Sequence, residues 1–259
     1  MKISVIKYGG HAMDKEDLAK AFASDLKKLV AENHHPIIVH GGGPQINLIL
    51  SKLNIESSFY EGLRITDNAT RDVVQMVLSG LVNKNLVSLF TKEGISCAGL
   101  SGVDANLLLG QIKNEKLGLV GDIIKIDPNI IKVLLNNNIM PIIAPIAKDT
   151  QGEILNINAD TAAGSIAGSL HADVFVLVSD VPGVLDKNEK IIPNLNLNEI
   201  KKLKEEKIIY GGMIPKVDSC LNALAKGCKK ALILDGRIQG NLYRALTLKN
   251  NIKATTITL

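Results

Sequence analysis

The chain has 259 residues, 46% hydrophobic and 22% charged, enough to bury a sizeable core and at the boundary between one large domain and two small ones. Its net charge of +4 is mild, its lysines are interleaved with glutamates as on a solvated face, and with no tryptophan and 3% aromatics it has little material for stacking bases, which argues against a nucleic-acid binder. Cys97, Cys220 and Cys228 show neither CxxC nor Cys/His ligand spacing, so no disulfide framework or zinc site is indicated, and a reducing, cytoplasmic compartment is expected.

The first predicted strand is the apolar run Ile3-Ser4-Val5-Ile6, so near the start that no signal or transit peptide is expected. It ends in Lys7, followed at once by Tyr8-Gly9-Gly10. A lysine at a buried strand end must find a counter-charge or lower its pKa. The neighbouring glycines suit close approach of backbone N–H groups to phosphate oxygens. Asp14-Lys15-Glu16-Asp17 then starts a helix, with Leu18, Phe22, Leu26 and Leu29 at helical spacing.

A second strand over 36–40 runs into His40-Gly41-Gly42-Gly43-Pro44 and a helix marked by Ile46, Ile49, Leu50 and Leu53. Three glycines bring the backbone close to whatever lies at the helix N-terminus, where free N–H groups and the dipole favour an anion. A tight turn would ordinarily need only one of them. The loop is neither GxGxxG nor GxxxxGK[ST], which removes the dinucleotide fingerprint and the Walker loop. His11 and His40, beside the glycine loops, fit supporting hydrogen bonds better than proton transfer. Gly62-Leu63-Arg64-Ile65-Thr66 sets an arginine among small and apolar neighbours; it suits a carboxylate ligand, and a surface ion pair explains it equally well.

A long helix is expected over 68–92, broken or bent near Gly80. No apolar run along the chain approaches the roughly 18 residues of a membrane span. Two antiparallel additions follow: 107–112 with 117–124, and 146–149 with 153–158 across Thr150-Gln151-Gly152. Between them lie a helix over 128–137 and a strand over 140–144. In Asn156-Ile157-Asn158-Ala159-Asp160, strand alternation puts both asparagines on one face. Asp160 precedes a helix of small residues, Thr161 to Gly168, which it can cap; it can also pair with otherwise uncompensated lysines.

The strand over 174–178 is fully apolar, as in buried parallel sheets. Ser179-Asp180-Val181-Pro182-Gly183-Val184 follows at its carboxyl end, where open α/β sheets receive ligands. The same residues make an ordinary Pro-Gly turn, and the spacing of Asp180 and Asp186 does not by itself indicate metal. After a helix over 197–207, Gly211-Gly212-Met213-Ile214-Pro215 leads to Lys216, which opens the periodic stretch 217–226. A cation in the first helical turn opposes the macrodipole at a cost of several tenths of a kcal/mol. An anionic ligand would relieve both Lys7 and Lys216, so the pattern points to phosphoryl transfer. A strand over 231–234, a helix over 241–248 and a last strand over 254–259 at a sheet edge complete an open, mostly parallel α/β sheet with helices on both faces.

Taken together, Lys7-Tyr8-Gly9-Gly10, residues 40–44, 62–66, 156–160, 179–184 and 211–216 resemble the amino acid kinase family, over nearly the whole chain from Lys7 to at least Asp235. Met76-Val77-Leu78-Ser79-Gly80, Val82-Asn83-Lys84 and Leu100-Ser101-Gly102 are similar too. The resemblance implies a three-layer αβα sandwich with a central, mainly parallel sheet of about eight strands. Residues 1–168 would form the acceptor and dimerisation lobe, and 169–259 the ATP lobe.

Within the family the chain is most similar to members that phosphorylate the γ-carboxylate of N-acetyl-L-glutamate with ATP, an early step of arginine biosynthesis. Mg²⁺ would be held mainly through the nucleotide phosphates, and no protein residue is assigned to it. Carried over by motif, Lys7 and Lys216 would stabilise the transferring phosphoryl group and Asp160 would hold and orient them. Gly42, Gly43, Arg64 and Asn156 would bind the acceptor, with Arg64 on its α-carboxylate. Ser179, Asp180, Val181, Pro182, Gly183, Val184, Gly211, Gly212 and Met213 would line the nucleotide site, with Gly10 near the phosphates.

The implied mechanism is direct in-line attack, since a carboxylate is already ionised at pH 7 and needs no general base. A strand beginning at residue 3, without the extra N-terminal helix of arginine-inhibited members, leads to the expectation of an arginine-insensitive homodimer with no nucleic-acid or membrane partner. A kinase for a carrier-linked amino-adipate is the nearest rival. A non-catalytic sensor on the same scaffold is disfavoured by retention of both lysines and Asp160.

Overall fold

Strand and helix alternate along the chain in the computed structural model, which describes residues 1–9, 15–248 and 252–259. The N-terminal elements are β1 (Lys2–Tyr8), α1 (Glu16–Ala31), β2 (His34–His40), α2 (Gly43–Lys52), β3 (Phe59–Tyr60), β4 (Leu63–Arg64), α3 (Asn68–Gln75), a π-helical stretch Met76–Val82, α4 (Asn83–Lys92) and β5 (Cys97–Ser101). Then come β6 (Leu108–Ile112), β7 (Val120–Ile126), α5 (Asn129–Asn136), β8 (Met140–Ala144), β9 (Ile146–Lys148), β10 (Ile154–Ile157) and α6 (Ala159–Ser169). The chain finishes with β11 (Val174–Ser179), β12 (Asn194–Leu195), α7 (Leu197–Glu205), α8 (Met213–Ala225), β13 (Ala231–Asp235), α9 (Asn241–Thr247) and β14 (Ala254–Ile257).

Eight strands form the central sheet in the order β12-β14-β13-β11-β1-β2-β8-β5. Neighbours from β13 to β5 pair in parallel, whereas β14 runs antiparallel to β13. The last strand therefore does not form the edge, as its sequence suggested; β12 pairs outside it. Strand alternation sorts the two faces. Ile6 and Tyr8 of β1 pack with Phe22, Leu26 and Leu29 of α1 and with the 68–92 helix, while Val5 packs with Ala162, Ala163 and Ile166 of α6 and Val217 of α8. The result is the expected three-layer αβα sandwich.

The helix over 68–92 is continuous, with its π-helical irregularity around Gly80 where a break or bend was expected. By length and composition it is apolar enough to cross a membrane, with an 18-residue window of mean hydropathy 1.4, which corrects the expectation that no stretch is. Its Val73, Val74, Val77, Leu78, Val82, Leu86 and Phe90 lie in the core beside the sheet. That apolarity therefore serves packing.

Both antiparallel additions form, β6 with β7 and β9 with β10. Parallel pairing of β10 with β7 and β6 with β9 then closes them into a four-stranded barrel that the sequence pattern did not announce. Also unannounced are the edge strand β5 and the hairpin β3–β4. The hairpin's two turn residues, Glu61 and Gly62, have φ of 49° and 77°, the left-handed pair that suits the twist of a tight hairpin.

Candidate active site

β1 is central, with β2 on one side and β11 on the other, so a crevice opens at the carboxyl ends of these strands. Alternation turns Lys7 to the same face as Val5, toward α6. There Lys7 Nζ lies 3.1 Å from Asp160 Oδ1, with side chains 16% and 13% exposed. Gly9 makes room for this: a Cβ on it would sit 2.9 Å from the Lys7 ammonium and 3.8 Å from the Gly41 backbone nitrogen. The pair thus stands beside the glycine loop.

Capping does not explain Asp160. The N-cap of α6 is Asn158, whose side chain accepts from the backbone N–H groups of Asp160 and Thr161. Asn158 has left the strand to do this, yet it lines the same cavity as Asn156, so both asparagines face one site as strand alternation suggested. Asp160 sits within the first turn, where a carboxylate suits the positive end of the dipole.

Helix α8 begins at Met213, earlier than its apolar periodicity suggests, with Pro215 in its first turn, where a missing N–H costs nothing. Lys216 follows and, among the described residues, makes no ion pair within 4.0 Å, with Asp160 included. Cys220 lies one turn along on the same face. Burial and then the charge of Asp160 push its thiol well above the ordinary cysteine range, and α8 packs along α6, the helix that carries Asp160. The small residues of α6 allow the approach: a Cβ on Gly164 would stand 2.9 Å from the Ser219 carbonyl, and one on Gly168 would collide with Lys226.

A cavity of about 170 Å³ adjoins the pair, and Gly42, Gly43, Arg64 and Asn156 all line it. Sequence reasoning missed its apolar walls, including Ile46, Phe59, Leu78 and Val120, because nothing separates such residues from ordinary core. Arg64 is 8% exposed and has no carboxylate partner among the described residues, so the surface ion-pair reading fails. Its guanidinium donates to Asn47 Oδ1 at 2.6 Å and to Ser57 Oγ, and lies 4.8 Å from the Phe59 ring centroid. Burial pulls its pKa below the usual arginine value. A buried guanidinium held by neutral groups is an electrostatic cost that an anionic ligand would offset.

The glycine loop is oriented from beneath. His40 is fully buried, and burial pulls its pKa down to about 4, so it is neutral. Its Nδ1 donates to the Gly41 carbonyl at 2.8 Å while Nε2 accepts from Asn83 Nδ2 at 3.1 Å. The same Asn83 nitrogen reaches the carbonyls of Leu100 and Ile142 at 3.2 and 3.0 Å, and as a donor it leaves His40 one tautomer. In a trans peptide, C=O and the next N–H point oppositely. Tying the Gly41 carbonyl to His40 therefore turns the Gly42 N–H the other way. Gly42 itself has no space for a side chain: a Cβ would meet Leu78 at 2.6 Å, whereas Gly43 has nothing within 4 Å.

In the 179–184 segment, Asp180 is exposed while Gly183 and Val184 are buried against β14. Gly183 has φ of 148°, and the Val184 N–H donates to Thr255 Oγ1 at 2.8 Å. Asp186 accepts from the backbone N–H groups of Lys190 and Asn188, which hold its carboxyl below the usual range, so it builds the loop. Gly211 has φ of 53°, and a Cβ on Gly211 or Gly212 would face open space. Gly10 and His11 lie outside the described residues.

A family model described as the amino acid kinase family matches residues 2–235. The chain belongs to the amino acid kinase family. It is 47% identical over 247 residues to an acetylglutamate kinase of Gluconobacter oxydans, covering 90% of this chain and 84% of that protein. Among solved structures it is similar to smu.665 from Streptococcus mutans UA159, with a TM-score of 0.82 and 30% identity across 100% of this chain and 99% of that one. A carbamate kinase from Giardia lamblia bound to AMP-PNP shares the fold, with a TM-score of 0.71 at 17% identity across 99% of this chain and 98% of that one.

Proposed function

We propose that the protein phosphorylates the γ-carboxylate of N-acetyl-L-glutamate with ATP, giving N-acetyl-L-glutamyl 5-phosphate and ADP, an early step of arginine biosynthesis. One observation carries the choice of acceptor. Arg64, a buried cation without a carboxylate partner among the described residues, lines a cavity that adjoins the Lys7–Asp160 pair. An acceptor with two carboxylates fits such a cavity end to end, its α-carboxylate on Arg64 and its γ-carboxylate beside Lys7.

The γ-carboxylate attacks the γ-phosphorus of ATP in line, the bond to the β,γ-bridging oxygen breaks, and ADP leaves. No proton needs to be removed from the nucleophile. Lys7, steered by Asp160, and Lys216 neutralise the spreading charge while N–H groups of the 40–44 loop position the acceptor. The acceptor lobe is residues 1–168. The nucleotide lies over 169–259, along 179–184 and 211–213.

Mg²⁺ fits this site through the nucleotide's phosphate oxygens, in the manner usual for that ion. Asp160 is engaged by Lys7, and among the described residues no three carboxylate, histidine or cysteine side chains gather into a metal cage. Bound there, the ion supplies charge neutralisation on the phosphates.

The functional unit is a homodimer. Supporting this are the half-buried edge strand β5 and the outward Met76 and Leu81 of the 68–92 helix, 58% and 46% exposed. Light scattering reads that directly. The acceptor is tested by ADP release with N-acetyl-L-glutamate, L-glutamate and an N-acylated aminoadipate side by side. Turnover with only one of the latter two would overturn the assignment.

A further inference from the structure

Arg64, Thr66 and Asn156 are joined by a chain of hydrogen bonds that ends in the acceptor cavity. The Thr66 hydroxyl, fully buried, donates to the Arg64 carbonyl oxygen at 2.9 Å. A hydroxyl has one hydrogen, so what remains to it is to accept. It accepts from Asn156 Nδ2 at 3.1 Å. One of the two hydrogens of the Asn156 amide nitrogen is therefore committed to Thr66, which fixes how the amide is turned. Its oxygen accepts no hydrogen bond among the described residues and is the amide atom left for the cavity that Asn156 lines.

The backbone holds this arrangement from three sides. Thr66 N–H donates to Leu117 O at 3.0 Å, Leu119 N–H to Thr66 O at 2.7 Å, and Asn156 N–H to Leu119 O at 2.9 Å. Gly118 permits the contact: its φ is 64°, and any Cβ would run into the Thr66 carbonyl. Arg64 and Thr66 are two apart in an extended segment, on one face. One short stretch thus supplies both the guanidinium and the hydroxyl that orients the amide opposite.

We propose that Thr66 is a positioning residue that sets the polarity of the Asn156 amide, making the cavity select acceptors whose carboxylate-bearing carbon also carries an N–H. The proposal rests on the acceptor reading above and deepens it. With Asn156 Oδ1 turned inward, an amide N–H on the acceptor finds its partner. An ester oxygen at that position would set two electron-rich oxygens face to face, and sites built to hydrogen-bond a group discriminate strongly against analogues that lack it. Without the Thr66 hydroxyl, the Asn156 amide is free to rotate and offer its NH₂ instead.

The test compares Thr66→Val and Thr66→Ser with the wild-type enzyme, using N-acetyl-L-glutamate and its ester analogue 2-acetoxyglutarate in an ADP-release assay. Wild type and Thr66→Ser are expected to favour the amide by on the order of 100-fold in kcat/KM. Thr66→Val should reduce that preference about tenfold, with KM for ATP unchanged; Thr66→Ala substitutes if the valine variant does not fold. A Thr66→Val or Thr66→Ala enzyme that keeps the wild-type preference overturns the proposal, as does a Thr66→Ser enzyme that loses it. Wild type that phosphorylates N-acetyl-L-glutamate without preference over the ester defeats the role of Thr66 alone. Wild type that phosphorylates neither compound defeats the acceptor assignment, and this proposal with it.

Discussion

Lys7 and Asp160 meet at 3.1 Å at the carboxyl end of the central strand, each less than one-fifth exposed, with Gly9 vacating the space the ammonium occupies. Asp160→Asn should keep the shape of this contact and remove its charge, releasing Lys7 from its place beside the glycine loop. A fall in kcat of roughly 10²-fold is expected, in the range of losing one transition-state donor. Gly9→Ala is the more discriminating change. Its Cβ meets the flexible end of a lysine, so the melting temperature should hold while kcat drops about tenfold. Steady-state kinetics with a thermal melt on each variant reads both effects.

Lys216 carries no ion pair among the described residues, so its removal should cost catalysis and not stability. Lys216→Ala is expected to lower kcat by about 10²-fold or more with KM for the acceptor nearly unchanged. The same change removes a cation from the start of a helix and should raise stability by a few tenths of a kcal/mol. Chemical denaturation beside initial-rate kinetics measures both. Near-normal turnover would remove Lys216 from the mechanism.

Arg64 holds Asn47 and Ser57 with two of its nitrogens, over the face of Phe59. A lysine offers a point charge without that planar fork. Arg64→Lys should therefore raise KM for the acceptor by on the order of 10- to 100-fold, leaving KM for ATP within about twofold. Acceptor and nucleotide titrations, each at saturating co-substrate, separate the two constants.

His40 makes a pH prediction. Its folded pKa, about 4, lies below the ordinary 6.5 because burial disfavours the imidazolium. The unfolded chain thus binds more protons between those values, and stability must rise with pH across that window. The contribution is fully present above pH 6.5 and lost as pH falls toward 4, in total roughly 3 kcal/mol. His34 and His35 are shifted the same way by burial, so the reading is a difference between wild type and variant. His40→Asn, which can still donate to the Gly41 carbonyl, should flatten the slope and retain most activity. His40→Gln reaches instead toward Asn83 and should raise KM for the acceptor about tenfold. Denaturant midpoints from pH 4 to 7 and acceptor kinetics test these outcomes.

Much of this architecture is legible in the sequence. Apolar runs at 3–6, 36–40, 140–144, 174–178 and 231–234 are too short for helices and too uniformly apolar for a one-faced sheet, so a buried parallel sheet followed from them. The glycines around Lys7, at 41–43 and at 211–212 each stood beside a charge or helix start that lacked a local reason, and that mismatch marked the candidate site. Period and chain chemistry are local properties, and local properties can be read in one dimension.

Tertiary structure alone decided the rest. No spacing rule brings Lys7 to Asp160, or tells that Asn158 both caps a helix and lines a cavity with Asn156, because these outcomes depend on which strands neighbour one another. Closure of β6, β7, β9 and β10 into a barrel, the two-residue strand β12 outside β14, and the apolar wall formed by Phe59, Leu78 and Val120 likewise arise from distant segments sharing a surface. Thr66 is the clearest case. In sequence it is one polar residue after Ile65; in the fold its single hydroxyl hydrogen, committed to Arg64, decides which end of Asn156 faces the cavity. Residue chemistry was written along the chain, but direction and proximity came only from folding, since a hydrogen bond is defined by the geometry of both its partners.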